Sequence, residues 1–335
     1  DDSIVRYAAG ARRFLRRSRG FVPIPVFLKN EMPSTLACGA ELKNTICVTK
    51  QDKAFLSQHI GDLENLPTYE FFKLTIAHLN RILDIEPQII AYDMHPDYLS
   101  TQYALELPAD HKIQVQHHHA HIVSCMAEHK LGDAVIGLSF DGTGYGTDGA
   151  IWGGEILIAR ERDFERAAHL AYVPMPGSAA AIKEPWRMAL SYLQNAYGSD
   201  FYNLDLPAVK KMDSGKLTVI AEMISKGINS PLTSSLGRLF DGVAAICGMR
   251  DRVNFEGQAA MELEMAALEG SDGVYEYGWE TGGAYRIFTA PIIQGVVDDV
   301  AKATPIGEIS SRFHRTLIQL FTELCVIIGK ERALN

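Results

Sequence analysis

At 335 residues, with 47% hydrophobic and 22% charged side chains, the chain has apolar mass for two or three lobes with real cores. A net charge of −9 provides no basic footprint for broad nucleic-acid binding, and no apolar run approaches the roughly 20 residues that span a bilayer. The five cysteines, Cys38, Cys47, Cys125, Cys247 and Cys325, lack CxxC spacing, so disulfides and a structural zinc site are not expected and a reducing cytoplasm fits. The start, Asp1-Asp2-Ser3, shows no basic-then-apolar leader.

In chain order, residues 4–8 and 13–15 read as two short strands joined at Gly10, with a basic cluster from Arg12 to Arg19. Pro23, Pro25 and Pro33 punctuate an expected linker over residues 27–34. Strands are expected at 35–39, 45–49 and 54–58, then a helix over 69–83 with Phe71, Phe72, Leu74, Ile76, Leu79 and Ile82 mostly on one side. A buried strand at 88–92 leads to the polar edge Asp93-Met-His-Pro-Asp97, a short helix, a strand and a histidine-rich helix. Strands at 134–140, 150–159 and 167–173 then open a second lobe. Helices follow at 185–197, 217–226, 236–247 and 258–268, a strand at 285–289, and a long helix at 308–329. This alternation predicts an α/β protein with helices packed on sheets. Two lobes that each open with three strands and a polar turn suggest duplicated halves facing one cleft.

His117, His118, His119 and His121 are the densest chemical signal. The segment 116–129 has no Pro or Gly and reads as helix, where residues four apart share a face. His117 and His121 are therefore expected to hold one metal ion, since imidazole suits Fe, Zn, Ni and Cu. Asp141, at the end of the apolar strand 134–140, is the candidate carboxylate for a harder ligand. His118 and His119 point about 100° and 200° away from His117, towards substrate or solvent.

Residues 141–149, Asp-Gly-Thr-Gly-Tyr-Gly-Thr-Asp-Gly, contain Gly144-x-Gly146-x-x-Gly149. A dinucleotide fingerprint must lead into a helix, whereas a strand is expected at 150–159. The stretch is either a glycine hairpin offering N–H groups to phosphate, through Gly142, Thr143, Gly144 and Gly146, or a tight turn with left-handed glycines. A polar turn at the corresponding place in the first lobe carries Lys43, Asn44 and Thr45, where Lys43 would counter phosphate charge and Thr45 donate a hydroxyl. Asp241, early in an apolar helix, is either a ribose ligand or an acid favoured by the helix dipole. Glu256 and Gly257 precede another helix as nucleoside contacts or as a cap. Lys183 and Arg187 flank Pro185 as a substrate-side patch.

Gln116-His-His-His-Ala-His121, Asp141-Gly-Thr-Gly-Tyr-Gly146, Trp152-Gly-Gly-Glu155, Gly237-Arg-Leu-Phe-Asp241 and Glu256-Gly-Gln-Ala-Ala260 together resemble the HypF family, the carbamoyltransferases of [NiFe]-hydrogenase maturation. Cys38-Gly-Ala-Glu-Leu-Lys-Asn-Thr45 and Ser57-Gln-His-Ile-Gly-Asp62 extend the resemblance, in order, over nearly the whole chain. It implies a two-lobed actin/sugar-kinase/Hsp70-like ATPase fold, each lobe a mixed sheet with helices. Residues 1–26 resemble the tail of a YrdC-like domain, 27–34 a linker, 35–133 the first lobe and 134–335 the second.

The resemblance also implies a reaction: carbamoyl-adenylate, made from carbamoyl phosphate and ATP, gives its carbamoyl group to the C-terminal cysteine thiolate of HypE, a step towards the cyanide ligands of [NiFe] hydrogenase. His117 and His121, with Asp141 as companion, would hold a divalent metal (Fe, Zn or Mg). Residues 141–149 would flank phosphate, and Asp241, Glu256 and Gly257 would contact the nucleoside. No nucleic-acid or membrane partner is implied. His95, His314 and Lys183 are candidates for activating the thiolate. The upstream acylphosphatase and most of the YrdC-like region have no counterpart here. The second lobe stops short of the family's glycine-rich C-terminal segment, so weak nucleotide binding and little transfer are expected of this stretch alone. The competing readings are an O-carbamoyltransferase or tRNA threonylcarbamoyltransferase of the same fold, and a non-catalytic metal- and nucleotide-binding scaffold.

Overall fold

Residues 2–8, 10–210, 213–270 and 272–334 are described by a computed structural model. They fall into two units, Asp1–Asp133 and Ala134–Asn335, each with its own buried apolar cluster.

In the first unit β1 (Ile4–Ala8) and β2 (Ala11–Arg16) pair antiparallel around Gly10, which takes the left-handed φ of 73° that the turn needs. A five-stranded mixed sheet follows, built from β3 (Val26–Met32), β4 (Thr35–Ala37), β5 (Cys47–Leu56), β6 (Ile89–Asp93) and β7 (His111–Val115) in the order β3-β5-β4-β6-β7. β3 and β4 run antiparallel to β5, while β4, β6 and β7 run parallel. The segment expected as a linker is thus largely a strand. Pro25 and Pro33 flank β3 without interrupting it, and its mostly exposed residues, with Lys29, Asn30 and Glu31 at its centre, suit a sheet edge. The strands expected at 45–49 and 54–58 are one strand, β5, bent where Gln51 adopts a φ of 57°.

Three helices complete this unit: α1 (Leu66–Leu83), α2 (Leu99–Glu106) and α3 (His117–Glu128). The side chain of Asn65 caps α1 by accepting from the Thr68 N–H at 3.0 Å. Phe72, Ile76 and Leu79 lie on one face of α1 and pack with Leu36, Val48 and Ile90 of the sheet. Phe71, Leu74 and Ile82 do not join that face; they are exposed.

The second unit is built on β8 (Val135–Tyr145), β9 (Ile151–Ala159), β10 (Phe164–Leu170), β11 (Val173–Pro174), β12 (Leu232–Thr233), β13 (Gly278–Glu280) and β14 (Tyr285–Phe288). β9 pairs antiparallel with β8 and β10; β14 continues the sheet parallel to β10, and β13 closes it. The short β12 meets β9 at Ile151 and pairs with β11. β8 continues through Asp141 to Tyr145, with a register shift between Phe140 and Gly144. The glycine stretch expected as a loop from residue 141 is therefore mostly strand, and only residues 146–149 turn.

Around this sheet lie α4 (Ala179–Lys183), α5 (Trp186–Tyr197), α6 (Pro207–Lys210), α7 (Ser214–Lys226), α8 (Leu236–Ile246), α9 (Gln258–Ala266), α10 (Ala290–Ala301) and α11 (Ile306–Arg332). α8 is buried nearly all round, as a helix inside a large core must be. α10 has no counterpart among the expected elements, although Pro291 in its first turn is a helix-start signal. Each unit is thus a mixed sheet with helices, the α/β plan of the lobes in an actin/sugar-kinase/Hsp70-like fold. Among the described residues no helix is long and apolar enough to cross a membrane.

Candidate metal centre and glycine hairpin

In the first unit, β6 ends at Asp93 and β7 at Val115, paired in parallel register, so one sheet edge presents Asp93 beside the start of α3. Ligands of open α/β sheets bind outside this carboxyl end of the strands. Gln116 caps α3, its side-chain oxygen accepting from the His119 N–H at 2.8 Å.

One turn apart on α3, His117 and His121 bring their Nε2 atoms to 3.2 Å. Two nitrogens at the usual bond length from one tetrahedral zinc lie about 3.3 Å apart, so the pair matches the spacing of two ligands on one ion. The Nδ1 of His117 stands 2.8 Å from Asp93 Oδ2, with only 15% and 7% of those side chains exposed. A proton on Nδ1, donated to that carboxylate, leaves the Nε2 lone pair for a metal. Asp93 also accepts from the His95 N–H at 2.8 Å through Oδ1, which fixes its orientation.

Sequence reasoning placed no role on Asp93. Its signal was its place as the first polar residue of the edge after a buried strand. His118 and His119 do not face solvent: they are 0% and 8% exposed. His118 Nδ1 lies 3.2 Å from Gln116 Nε2.

The first-lobe turn is tightly built. Asn44 is 1% exposed and donates to the carbonyls of Cys38 and Ala40 at 2.9 and 2.5 Å. It holds the turn together from inside. A Cβ on Gly39 would meet the Thr45 carbonyl oxygen at 2.4 Å, so only glycine fits. Lys43, at φ 50°, is exposed, and Asp62 Oδ1 accepts from its N–H at 2.7 Å. Thr45 is half-buried.

In the second unit the glycine strand lies against the start of α8. A Cβ on Gly153 would meet Asp141 O at 2.4 Å, one on Gly154 would meet Ser234 O at 2.5 Å, and one on Gly237 would meet Gly142 Cα at 2.9 Å. Ser235 caps α8 by accepting from the Arg238 N–H at 3.2 Å, and donates its own hydroxyl to Asp141 O at 2.7 Å. Asp141 Oδ1 accepts from the Gly142 N–H at 2.6 Å. Gly144 and Gly146 are buried, while Gly142 and Thr143 are half-buried.

Asp241 lies inside α8, 3% exposed, with Oδ2 3.1 Å from Arg238 Nη1. Burial pushes its carboxyl up to about 6, against the opposing pull of Arg238. It is a buried partner of Arg238. Glu256 is exposed, and Gly257, at φ 74°, is the N-cap of α9. Lys183, the last residue of α4, is exposed. Arg187 donates to Glu184 at 2.6 Å and lies over the Trp186 ring, so its charge is already matched.

The chain matches the family described as "Carbamoyltransferase, Kae1-like Domain, second subdomain" over residues 137–335, and "HypF Kae1-like domain" over residues 30–128. It is 43% identical over 321 residues to "Carbamoyltransferase HypF" of Rhizobium leguminosarum bv. viciae, covering 95% of this chain and 40% of that protein. Identity to "Carbamoyltransferase HypF" of Synechocystis sp. is 39% over 349 residues, covering 99% of this chain and 45% of the relative. A crystal structure of full-length HypF in the phosphate- and nucleotide-bound form superposes with a TM-score of 0.96 at 45% identity, covering 100% of this chain and 44% of that one. The chain thus spans less than half the length of these relatives.

Proposed function

The chain belongs to the HypF carbamoyltransferase family, and from that premise we propose that it is the part of such an enzyme that transfers a carbamoyl group from carbamoyl-adenylate to the C-terminal cysteine thiolate of HypE. The adenylate would derive from carbamoyl phosphate and ATP, and the product would lead to the cyanide ligands of [NiFe] hydrogenase. The observation that carries this reading is the pair of Nε2 atoms of His117 and His121, 3.2 Å apart, with Asp93 behind them. Residues 1–26 are assigned, on the same premise, to the end of a YrdC-like domain, and the protein to the cytoplasm.

Carbamoyl-adenylate is a mixed anhydride, already activated, so no covalent enzyme intermediate is required. The chain's task is to align the thiolate with the carbonyl and to exclude water. His117 and His121, joined by Asp141, are the proposed ligands of a divalent metal (Fe, Zn or Mg), which when bound supplies Lewis-acid stabilisation of charge at phosphate. Gly142, Thr143, Gly144 and Gly146 would flank the phosphate, and Lys43 and Thr45 would add charge and a hydroxyl. Glu256 and Gly257 would meet the nucleoside. Asp241 and Asn44 would act on the nucleotide indirectly, by holding α8 and the first-lobe turn. Lys183, Arg187, His95 and His314 are the groups to test for thiolate activation.

The test is intact-mass analysis of HypE after mixing with this chain, a divalent metal and synthetic carbamoyl-adenylate. A carbamoylated terminal cysteine, lost in His117→Ala/His121→Ala, supports the reading. Adenylate bound but never consumed supports a scaffold instead, and transfer to a small hydroxyl acceptor or to tRNA rather than HypE supports the related transferases. Binding of neither metal nor nucleotide sinks the proposal.

A further inference from the structure

The turn of the glycine hairpin, residues 146–149, is tied down by an ion and hydrogen-bond network that begins in the core of the second unit. Glu155 on β9 is 0% exposed. Its Oε2 accepts from Arg166 Nε at 2.7 Å, and its Oε1 from the Ser234 hydroxyl at 2.5 Å and the Gly153 N–H at 3.2 Å. A carboxylate so deeply buried persists only when paired and hydrogen-bonded. Arg166 lies with its guanidinium 3.9 Å from the centre of the Trp152 ring, a cation–π contact that fixes its plane. From there Nη1 donates to the Tyr172 hydroxyl at 2.7 Å, and Tyr172 donates in turn to Asp148 Oδ2 at 2.5 Å. The Trp152 Nε1–H and the Ala150 N–H donate to Asp148 Oδ1 at 2.9 and 3.1 Å.

Asp148 itself sits on the exposed turn, with 41% of its side chain open. One surface carboxylate thus gathers bonds from Tyr172, Trp152 and its own turn. The turn's fit is equally tight: a Cβ on Gly146 would meet Trp152 Nε1 at 2.2 Å.

We propose that Asp148, Tyr172 and Arg166 are positioning residues that set the glycine hairpin in its phosphate-receiving shape before the nucleotide arrives. The inference rests on reading that hairpin as a phosphate contact. Preorganisation of this kind raises affinity by removing the ordering cost from the binding step. Asp148 is an acid beside a proposed phosphate site, so electrostatics and the brace predict opposite effects of removing its charge. Asp148→Asn would tighten phosphate binding if charge alone mattered, and weaken it if the turn must be held.

The experiment is calorimetric titration of ATP and of adenosine into the full chain, its Asp148→Asn variant and its charge-neutral Tyr172→Phe variant. Hydrogen exchange at the amides of residues 147–149 is followed in parallel. The brace predicts roughly tenfold weaker ATP binding in both variants, the worth of one charge-assisted hydrogen bond, with adenosine affinity unchanged and faster exchange at the turn. Unchanged or tighter ATP binding, or equal losses for ATP and adenosine, would overturn it. If the parent chain binds ATP no better than adenosine, the phosphate reading of the hairpin fails. The exchange data then still decide whether Asp148 and Tyr172 order the turn, and unchanged rates overturn the brace itself.

Discussion

Asp93 shows how far the proposed metal centre would depend on a residue outside its ligand set. Its carboxylate holds His117 through Nδ1 and would leave Nε2 free to coordinate the proposed metal. Asp93→Asn is expected to weaken metal binding about 10- to 100-fold, read by competition with a chelator, while His117→Ala abolishes it; equal affinity in Asp93→Asn would remove Asp93 from the site. Asp241 makes a different residue-scale point, since burial raises its pKa from 3.8 to about 6 despite Arg238. The folded state therefore holds the proton more tightly than the unfolded chain. This group's stability contribution is complete below pH 3.8, declines as pH rises towards about 6, and is constant above. The carboxyl carbon of Asp241 should titrate near 6 by NMR, and Asp241→Asn should flatten the stability profile across that window. A midpoint near 4 would mean that Arg238 wins over burial.

Among the elements, the junction of β8, β9 and the start of α8 depends on atoms too close for any side chain. Ser235 serves both sides of it, capping α8 and bonding Asp141 O. Ser235→Ala should cost about 0.5–2 kcal/mol in chemical denaturation, the range for a lost cap; a change within error would show that the two bonds are replaceable. Gly154→Ala forces a Cβ to 2.5 Å from a backbone oxygen, so a loss of about 1–3 kcal/mol or more is expected. The strand character of β3 and the bent, continuous β5 show why element boundaries in this region escaped a local reading. An exposed edge strand owes its existence to the neighbour it pairs with more than to its own composition.

For the whole molecule, two separate cores have a thermodynamic consequence. The cluster of the second unit draws on β9, β10, α5, α8, α10 and α11, and that of the first on β4, β5, β6 and α1. Residues 134–335 produced alone should therefore unfold cooperatively, and the intact chain should show two calorimetric transitions. A single transition, with an unfolded isolated fragment, would show that the units are thermodynamically inseparable.

The α/β alternation, the i, i+4 histidine pair and the glycine hairpin before β9 were legible in the sequence, because each depends on local periodicity or on the few residues able to make a tight turn. The resemblance to the HypF family stood on the same short motifs. Tertiary structure alone decided that Asp93, 24 residues from His117 in sequence, braces it, that Asn44 and Asp241 turn inward, and that Glu155 anchors the hairpin through Arg166. Each of these depends on strand order and register. Those are set by packing between distant segments, and no local pattern in the chain records them.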